Sequence, residues 1–173
     1  MTRNDPLFER LRDEARLIGA SPSVDLHMHT AWTDGLNTVS QMHEKACARG
    51  IATILFSEHS RRSSGDWFSA FADEVRALSA SPCRALVGTE VKVLDFDGAL
   101  DLAPEIAQKC DLIMASVHRF PGERDDISKG KEKYTSEQVV DIEFRLSMAA
   151  LDNPDTDILG HPFGMSLRRF GID

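Results

Sequence analysis

Apolar and polar positions along the chain alternate between two periods. Leu7, Phe8, Leu11, Ala15 and Ile18 recur at helical spacing among charges, which predicts an amphipathic helix over residues 5–18, stopped by Gly19 and Pro22. Residues 23–29 read as a first strand. Asn37 or Thr38 is placed to cap a helix that passes through Met42, Ala46 and Cys47 and stops at Gly50. Residues 51–56 form a near-continuous apolar run, the pattern of a strand buried on both faces, and the run ends in Ser57-Glu58-His59. A helix follows over 66–78, with Trp67, Phe71, Val75 and Leu78 on one side. Residues 84–94 give a third strand, 99–109 a short helix, and 110–118 a fourth strand. The stretch 122–133 is charged and almost free of apolar residues, so it reads as a mobile surface loop. A long helix over 135–151, capped by Thr135 or Ser136, turns Val139, Ile142, Leu146 and Ala149 inward and ends at Asn153-Pro154. Residues 157–161 make a fifth strand, and 162–173 have no clear period.

Buried strands alternating with helices indicate parallel βαβ units. Right-handed crossovers then gather the C-terminal strand ends at one edge of the sheet, where the sites of such folds form. The expected organisation is a helical extension over residues 1–22 followed by one domain over 23–173. At 173 residues and 42% hydrophobic, the chain can bury a substantial core. The net charge of -8 argues against nucleic-acid or membrane binding through bulk charge. No apolar stretch approaches a membrane span, and the first residues lack a signal-peptide core, so a cytoplasmic protein is expected. Cys47, Cys83 and Cys110 are scattered without a Cys-x-x-Cys pair and read as reduced, mostly buried thiols rather than a thiolate metal site.

Candidate chemistry changes this picture at the strand ends. His27 and His29, spaced i, i+2, project from one face of a strand and form either a metal seat or a hydrogen-bonded structural pair. His59, His118 and His161 end the second, fourth and fifth strands, and Glu90 lies in the third. Core histidines have no reason to choose the same sheet edge repeatedly. Five imidazoles with the carboxylates of Asp34 and Glu90 on one rim are what a multinuclear metal site requires. His43 is the exception: inside a helix, it reads as a solvated or hydrogen-bonded histidine.

Asp25-Leu26-His27-Met28-His29-Thr30 with Asp34-Gly35, Ser57-Glu58-His59, Gly88-Thr89-Glu90, Ser116-Val117-His118 and Gly160-His161-Pro162 resemble, in order, the motifs of the PHP (polymerase and histidinol phosphatase) family. The closest flavour is the small stand-alone phosphoesterase. The resemblance implies a distorted seven-stranded (β/α) barrel holding two to three divalent ions, zinc, manganese or iron. It implies that His27, His29 and Glu90 hold the first ion, that Glu90 bridges to a second held by His118 and His161, and that Asp34 and His59 serve a third. The family's last motif, a further Asp-x-His, has no counterpart after His161, and the pattern yields about five βα units rather than seven. A truncated barrel is therefore expected, or one that a partner or a second copy of the chain completes.

The function that follows is hydrolysis of a small phosphomonoester or phosphodiester, as in a histidinol-phosphatase-like enzyme, by a metal-activated water. No protein nucleophile is required. Glu90, His118 and Arg119 are the residues expected to carry the chemistry, with Arg119, and less so Arg61 and Arg62, placed to meet a phosphate. The partner is then a small phosphorylated substrate. Two alternatives stand beside it: a nucleic-acid exonuclease or polymerase-associated module, and a catalytically impaired fragment that needs a partner.

Overall fold

A computed structural model of the chain describes residues 23–79, 82–122 and 134–172, so the expected N-terminal helix and the charged loop beyond Gly122 lie outside the described residues. Strands β1 (Val24–Met28), β2 (Thr53–His59), β3 (Arg84–Lys92), β4 (Leu112–Ser116) and β5 (Ile158–Gly160) alternate with helices α1 (Val39–Ala48), α2 (Gly65–Arg76), α3 (Pro104–Ala107) and α4 (Ser136–Asp152). All strand pairs are parallel and the sheet order is sequential, β1-β2-β3-β4-β5. When every crossover steps to the next strand with the same hand, all helices lie on one face of the sheet. The other face then closes on itself, and the sheet curls into a half-barrel, as expected of a truncated (β/α) barrel.

Strand alternation sorts the core into an outer and an inner layer. On the outer face, Ile54, Phe56 and Val87 pack on Val39 and Ala46 of α1 and on Phe68, Phe71 and Val75 of α2. Val91, Ile113 and Ala115 pack on Val139, Leu146 and Ala150 of α4. The inner layer is aliphatic, one residue per strand: Leu26, Leu55, Leu86, Leu112 and Ile158. Two residues further along β2 and β3 the inner positions are Ser57 and Gly88, while β4 carries Met114 and then Ser116, and beyond them comes the histidine rim.

The helix starts are set by side chains. Thr38 and Thr135 each accept from the backbone N–H three residues on, at 3.3 Å, and Gln41 and Gln138 reciprocate on the cap N–H. These capping boxes resolve both start alternatives. Other boundaries differ from the pattern. The apolar run at 51–56 becomes strand only from Thr53, because Ala52 and Thr53 N–H first turn to the Ser23 carbonyl. Of the expected helix over 99–109, only Pro104–Ala107 is α-helical, since Val93 and Leu100 pair as an antiparallel bridge across a turn. Helix α4 buries Val139 and Leu146 as expected, but also Glu143. The Glu143 carboxylate accepts from Met165 N, Ser166 N and Ser166 Oγ at 3.0, 2.7 and 2.6 Å. It thereby anchors a π-helical turn, Ser166–Phe170, in the aperiodic tail. His43 takes the hydrogen-bonded alternative: it is buried, with Nε2 2.8 Å from the Cys83 carbonyl oxygen.

Candidate metal centre

Strand parity accounts for most of the rim. Leu55, Ser57 and His59 share the inner face of β2, as Leu86, Gly88 and Glu90 do on β3, and Ser116 leads by two residues to His118. On β1 parity alone would fail, because Leu26 and His27 both face inward. A register shift between Asp25 and Met28 supplies the missing residue: three positions of β1 oppose two of β2. Ser57 stitches the gap, with its Oγ accepting from Met28 N at 3.1 Å and lying 3.3 Å from the Met28 carbonyl. At β5 the backbone itself turns. Gly160 points inward, where a Cβ would run into Ser116 Oγ and Met114 Sδ. The next residue of a regular strand would face the helices, but His161 has φ of 24° and swings its imidazole back to the rim. A non-glycine residue in that region costs on the order of 1 kcal/mol or more, a strain typical of functional sites.

Glu90 is the hub. It is 1% exposed, and its two oxygens face two different groups of imidazoles. Oε2 lies 3.2 Å from His27 Nε2, His29 Nε2 and His59 Nδ1. Oε1 lies 3.0 Å from His118 Nε2 and 2.8 Å from His161 Nε2. Asp34 sits on the outer side of the first group, 3.5 Å from His59 Nε2 and 3.8 Å from His29 Nδ1. The structure thus brings together all seven rim residues that the sequence singled out. Burial alone would push the Glu90 carboxyl up, but hydrogen bonds from His118, His161, His27 and His29 hold it far below the usual carboxylate range. Burial works to lower His29, yet the hydrogen bond and charge of Glu90, helped by Asp34, leave it raised. His161 is raised by its hydrogen bond to Glu90 against burial. His59 is lowered, chiefly by burial.

The donor set fits divalent cations better than it fits a hydrogen-bonded network. One carboxylate cannot accept fully from five imidazoles. Ring nitrogens also face one another directly, His27 Nε2 to His29 Nε2 at 3.1 Å and His118 Nε2 to His161 Nε2 at 3.4 Å. Each such pair either shares a proton or sets two lone pairs in opposition. His29 Nδ1 is buried and lacks a hydrogen-bond partner among the described residues. Cations between these atoms would relieve all three features. At the rim, two groupings of donor atoms among the described residues lie close enough for one ion each: His27, Glu90 and His161, and His29, His59 and Glu90.

A cavity of about 590 Å³ opens over the rim, lined also by Val117, Gly164, Met165 and Arg168. Among the described residues, Arg168 is the arginine that lines it, and Arg119, Arg61 and Arg62 are not among its lining residues. Arg62 instead donates to the Leu100 carbonyl at 3.1 Å. Sequence reasoning missed Arg168 because the tail that carries it has no period. It also missed Glu58, whose side chain alternates to the face opposite His59. Buried there, the carboxylate accepts from Thr30 N at 2.7 Å and from Thr33 Oγ1, which pins the loop that carries Asp34. Gly35 closes that loop with its N–H 2.9 Å from the Thr30 carbonyl, where any Cβ would collide with His29 backbone. The signal was available: a carboxylate in an apolar strand must find donors.

Comparison with known proteins agrees with this geometry. The sequence model of the PHP domain matches residues 25–168. The chain is 28% identical over 158 residues to the DNA polymerase/3'-5' exonuclease PolX of Bacillus subtilis, covering 86% of this chain and 25% of that protein. It is 29% identical over 142 residues to a probable phosphatase of Acetivibrio thermocellus, covering 80% of this chain and 54% of the relative. A probable phosphatase of Clostridium acetobutylicum is 29% identical over 149 residues, with 80% and 52% covered. The chain thus spans between a quarter and about half of the length of these curated relatives. With the matched region running from the first strand to Arg168 and enclosing the whole histidine rim, the chain belongs to the PHP domain family.

Proposed function

We propose that the chain is a metal-dependent phosphoric ester hydrolase acting on a small phosphomonoester or phosphodiester, with histidinol-phosphatase-like chemistry. The observation that carries this reading is Glu90, a buried carboxylate whose two oxygens address two separate imidazole groups. The probable-phosphatase relatives support the reaction class. In this reading residues 23–173 are the hydrolase domain, and the setting is the cytoplasm. Among the described residues no helix is long and apolar enough to cross a membrane.

His27, His29, Asp34, His59, Glu90, His118 and His161 would hold two to three divalent ions, zinc, manganese or iron. Such ions, when bound, supply Lewis acidity toward phosphate oxygens and a coordinated water of lowered pKa. The rest falls to the chain's own groups. Glu90, held ionised by its imidazole shell, offers one anionic oxygen to each side of the centre. His118 fixes the position of Glu90 Oε1. Arg168 would orient a phosphate at the cavity mouth through its fork of donors, a role first expected of Arg119. Thr30, Thr33 and Glu58 keep the Asp34 loop against the rim. Hydrolysis of an aryl phosphate by the chelator-treated chain, before and after addition of each metal, tests the reading. Metal-restored turnover that disappears in Glu90→Gln supports it. A folded, inactive protein that no metal rescues refutes it.

The PolX relative favours a second reading, a 3'-5' exonuclease module. Removal of terminal nucleotides from a single-stranded oligonucleotide, with aryl phosphate left intact, would select it. A rim that needs further strands is the third: the outer edges of β1 and β5 are unpaired among the described residues. Activity that rises with protein concentration, through a second copy or an added partner, would select that one.

A further inference from the structure

We propose that His43, Cys47 and Cys83 form a second metal site, sulfur-bearing and suited to a zinc-type divalent ion, at the end of the sheet remote from the histidine rim. His43 and Cys47 stand at i, i+4 on α1, which sets both side chains on one face of the helix. Cys83 directly precedes Arg84, the first residue of β3. One ligand atom from each of the three residues lies within 4.8 Å of the other two. Cys47 Sγ is 4.0 Å from His43 Nδ1 and 3.8 Å from Nε2.

The hydrogen bonding of His43 suits a ligand. Its Nε2 lies 2.8 Å from the Cys83 carbonyl oxygen, which can only accept. Nε2 therefore carries the proton, and Nδ1 keeps its lone pair. Metal-binding histidines are held in one tautomer by this kind of bond from the other ring nitrogen. Burial suits an ion as well. Cys83 is fully buried and His43 nearly so, while the half-buried Cys47 leaves a path from solvent. Binding one divalent cation displaces the two thiol protons, so two thiolates and one dication add no net charge to the buried site.

Donor chemistry then selects the ion. Two sulfurs and an imidazole suit zinc in tetrahedral coordination, with a fourth position left for water. Magnesium and calcium, which demand oxygen, are disfavoured. Cys83 and Glu90 are seven positions apart along extended chain, about 23 Å at strand rise, so the two centres share no ion. A bound ion would clamp α1, the helix that follows the Asp34 loop, to the start of the strand that carries Glu90.

Cobalt titration of the chelator-treated full chain under reducing conditions tests the site. The cavity over the histidine rim is lined by no cysteine, so near-ultraviolet thiolate-to-cobalt charge transfer reports on the cysteines alone. The expected result is one thiolate-bound cobalt per chain in the parent, in Glu90→Gln and in Cys110→Ser, displaced by zinc, and lost in Cys47→Ser and in Cys83→Ser. Circular dichroism checks that the variants fold, and slower reaction of Cys47 with a thiol reagent after zinc addition gives a second readout in the unmutated chain. No charge-transfer band, a band that survives both substitutions, or unchanged thiol reactivity in zinc overturns the proposal. So does a Cys47–Cys83 disulfide found by mass under those reducing conditions.

Discussion

Replacing Glu58 with alanine tests whether this buried carboxylate organises the rim through the loop behind it. In the parent it accepts from Thr30 N at 2.7 Å and from Thr33 Oγ1, and its side chain is fully enclosed. Removal leaves the Thr30 N–H buried without an acceptor, which costs about 1–3 kcal/mol. The vacated volume adds to that loss. Against it stands the end of burying a carboxylate, a burden visible in the raised pKa of Glu58, whose burial outweighs the hydrogen bonds from Thr30 and Thr33. The net expectation is a loss of about 2 kcal/mol, or roughly 4–8 °C in Tm for a domain of this size. Glu58→Gln keeps an acceptor for Thr30 and sheds the charge, so it should lose less than about 1 kcal/mol. Asp34 is 3.5 Å from His59 in the parent, and a slack loop should weaken the ion nearest it by roughly 10–100-fold, the range for groups behind a ligand. Thermal unfolding in chelator, followed by metal titration of both variants, reads the two effects separately. If Glu58→Ala melts within about a degree of the parent and binds metal with parent affinity, the loop does not depend on Glu58.

Three further outcomes follow from the same geometry. The chelator-treated protein should be most stable at mildly acidic pH. Glu90, depressed, contributes stability present above its ordinary 4.5 and lost as pH falls through its folded value; His29 and His161, raised, contribute stability present below 6.5 and lost as pH rises through theirs. His59, lowered, opposes them on the acid side, and a urea series from acid to alkaline pH with a stability that only rises would contradict the assignment. Arg168→Ala should raise KM for an aryl phosphate by roughly tenfold at unchanged metal content, as expected for a charge-assisted contact, whereas Arg119→Ala should do so less. Equal effects of the two would remove the distinction drawn from the cavity. Thr135→Ala should cost about 1 kcal/mol by opening the α4 capping box, with the melting temperature as readout and no change in metal binding.

Much of the rim was legible in the sequence because it follows from alternation. A parallel strand sends every second residue inward, so His59, Glu90 and His118 could be placed from their distances to Leu55, Leu86 and Ser116. What escaped depends on partners that the pattern does not carry. The irregularity in β1 exists only relative to β2, and Ser57 completes it. At β5 the narrow interior admits only glycine at position 160, and the imidazole reaches the rim through the positive φ of His161, neither of which strand alternation carries. Glu143 interrupts the apolar stripe of α4 because it anchors a tail whose own sequence has no period. Besides Glu90, two buried glutamates, Glu58 and Glu143, each mark a backbone segment that needs its N–H groups satisfied.

The most direct measurement is elemental analysis of the purified full chain in a Cys47→Ser background, so that thiolate-bound metal does not enter the sum. At least two divalent ions per chain, falling by one or more in Glu90→Gln together with aryl phosphate hydrolysis, is the predicted result. A folded protein that carries no zinc, manganese or iron, takes up none on addition, and behaves identically with Glu90→Gln would contradict the central claim.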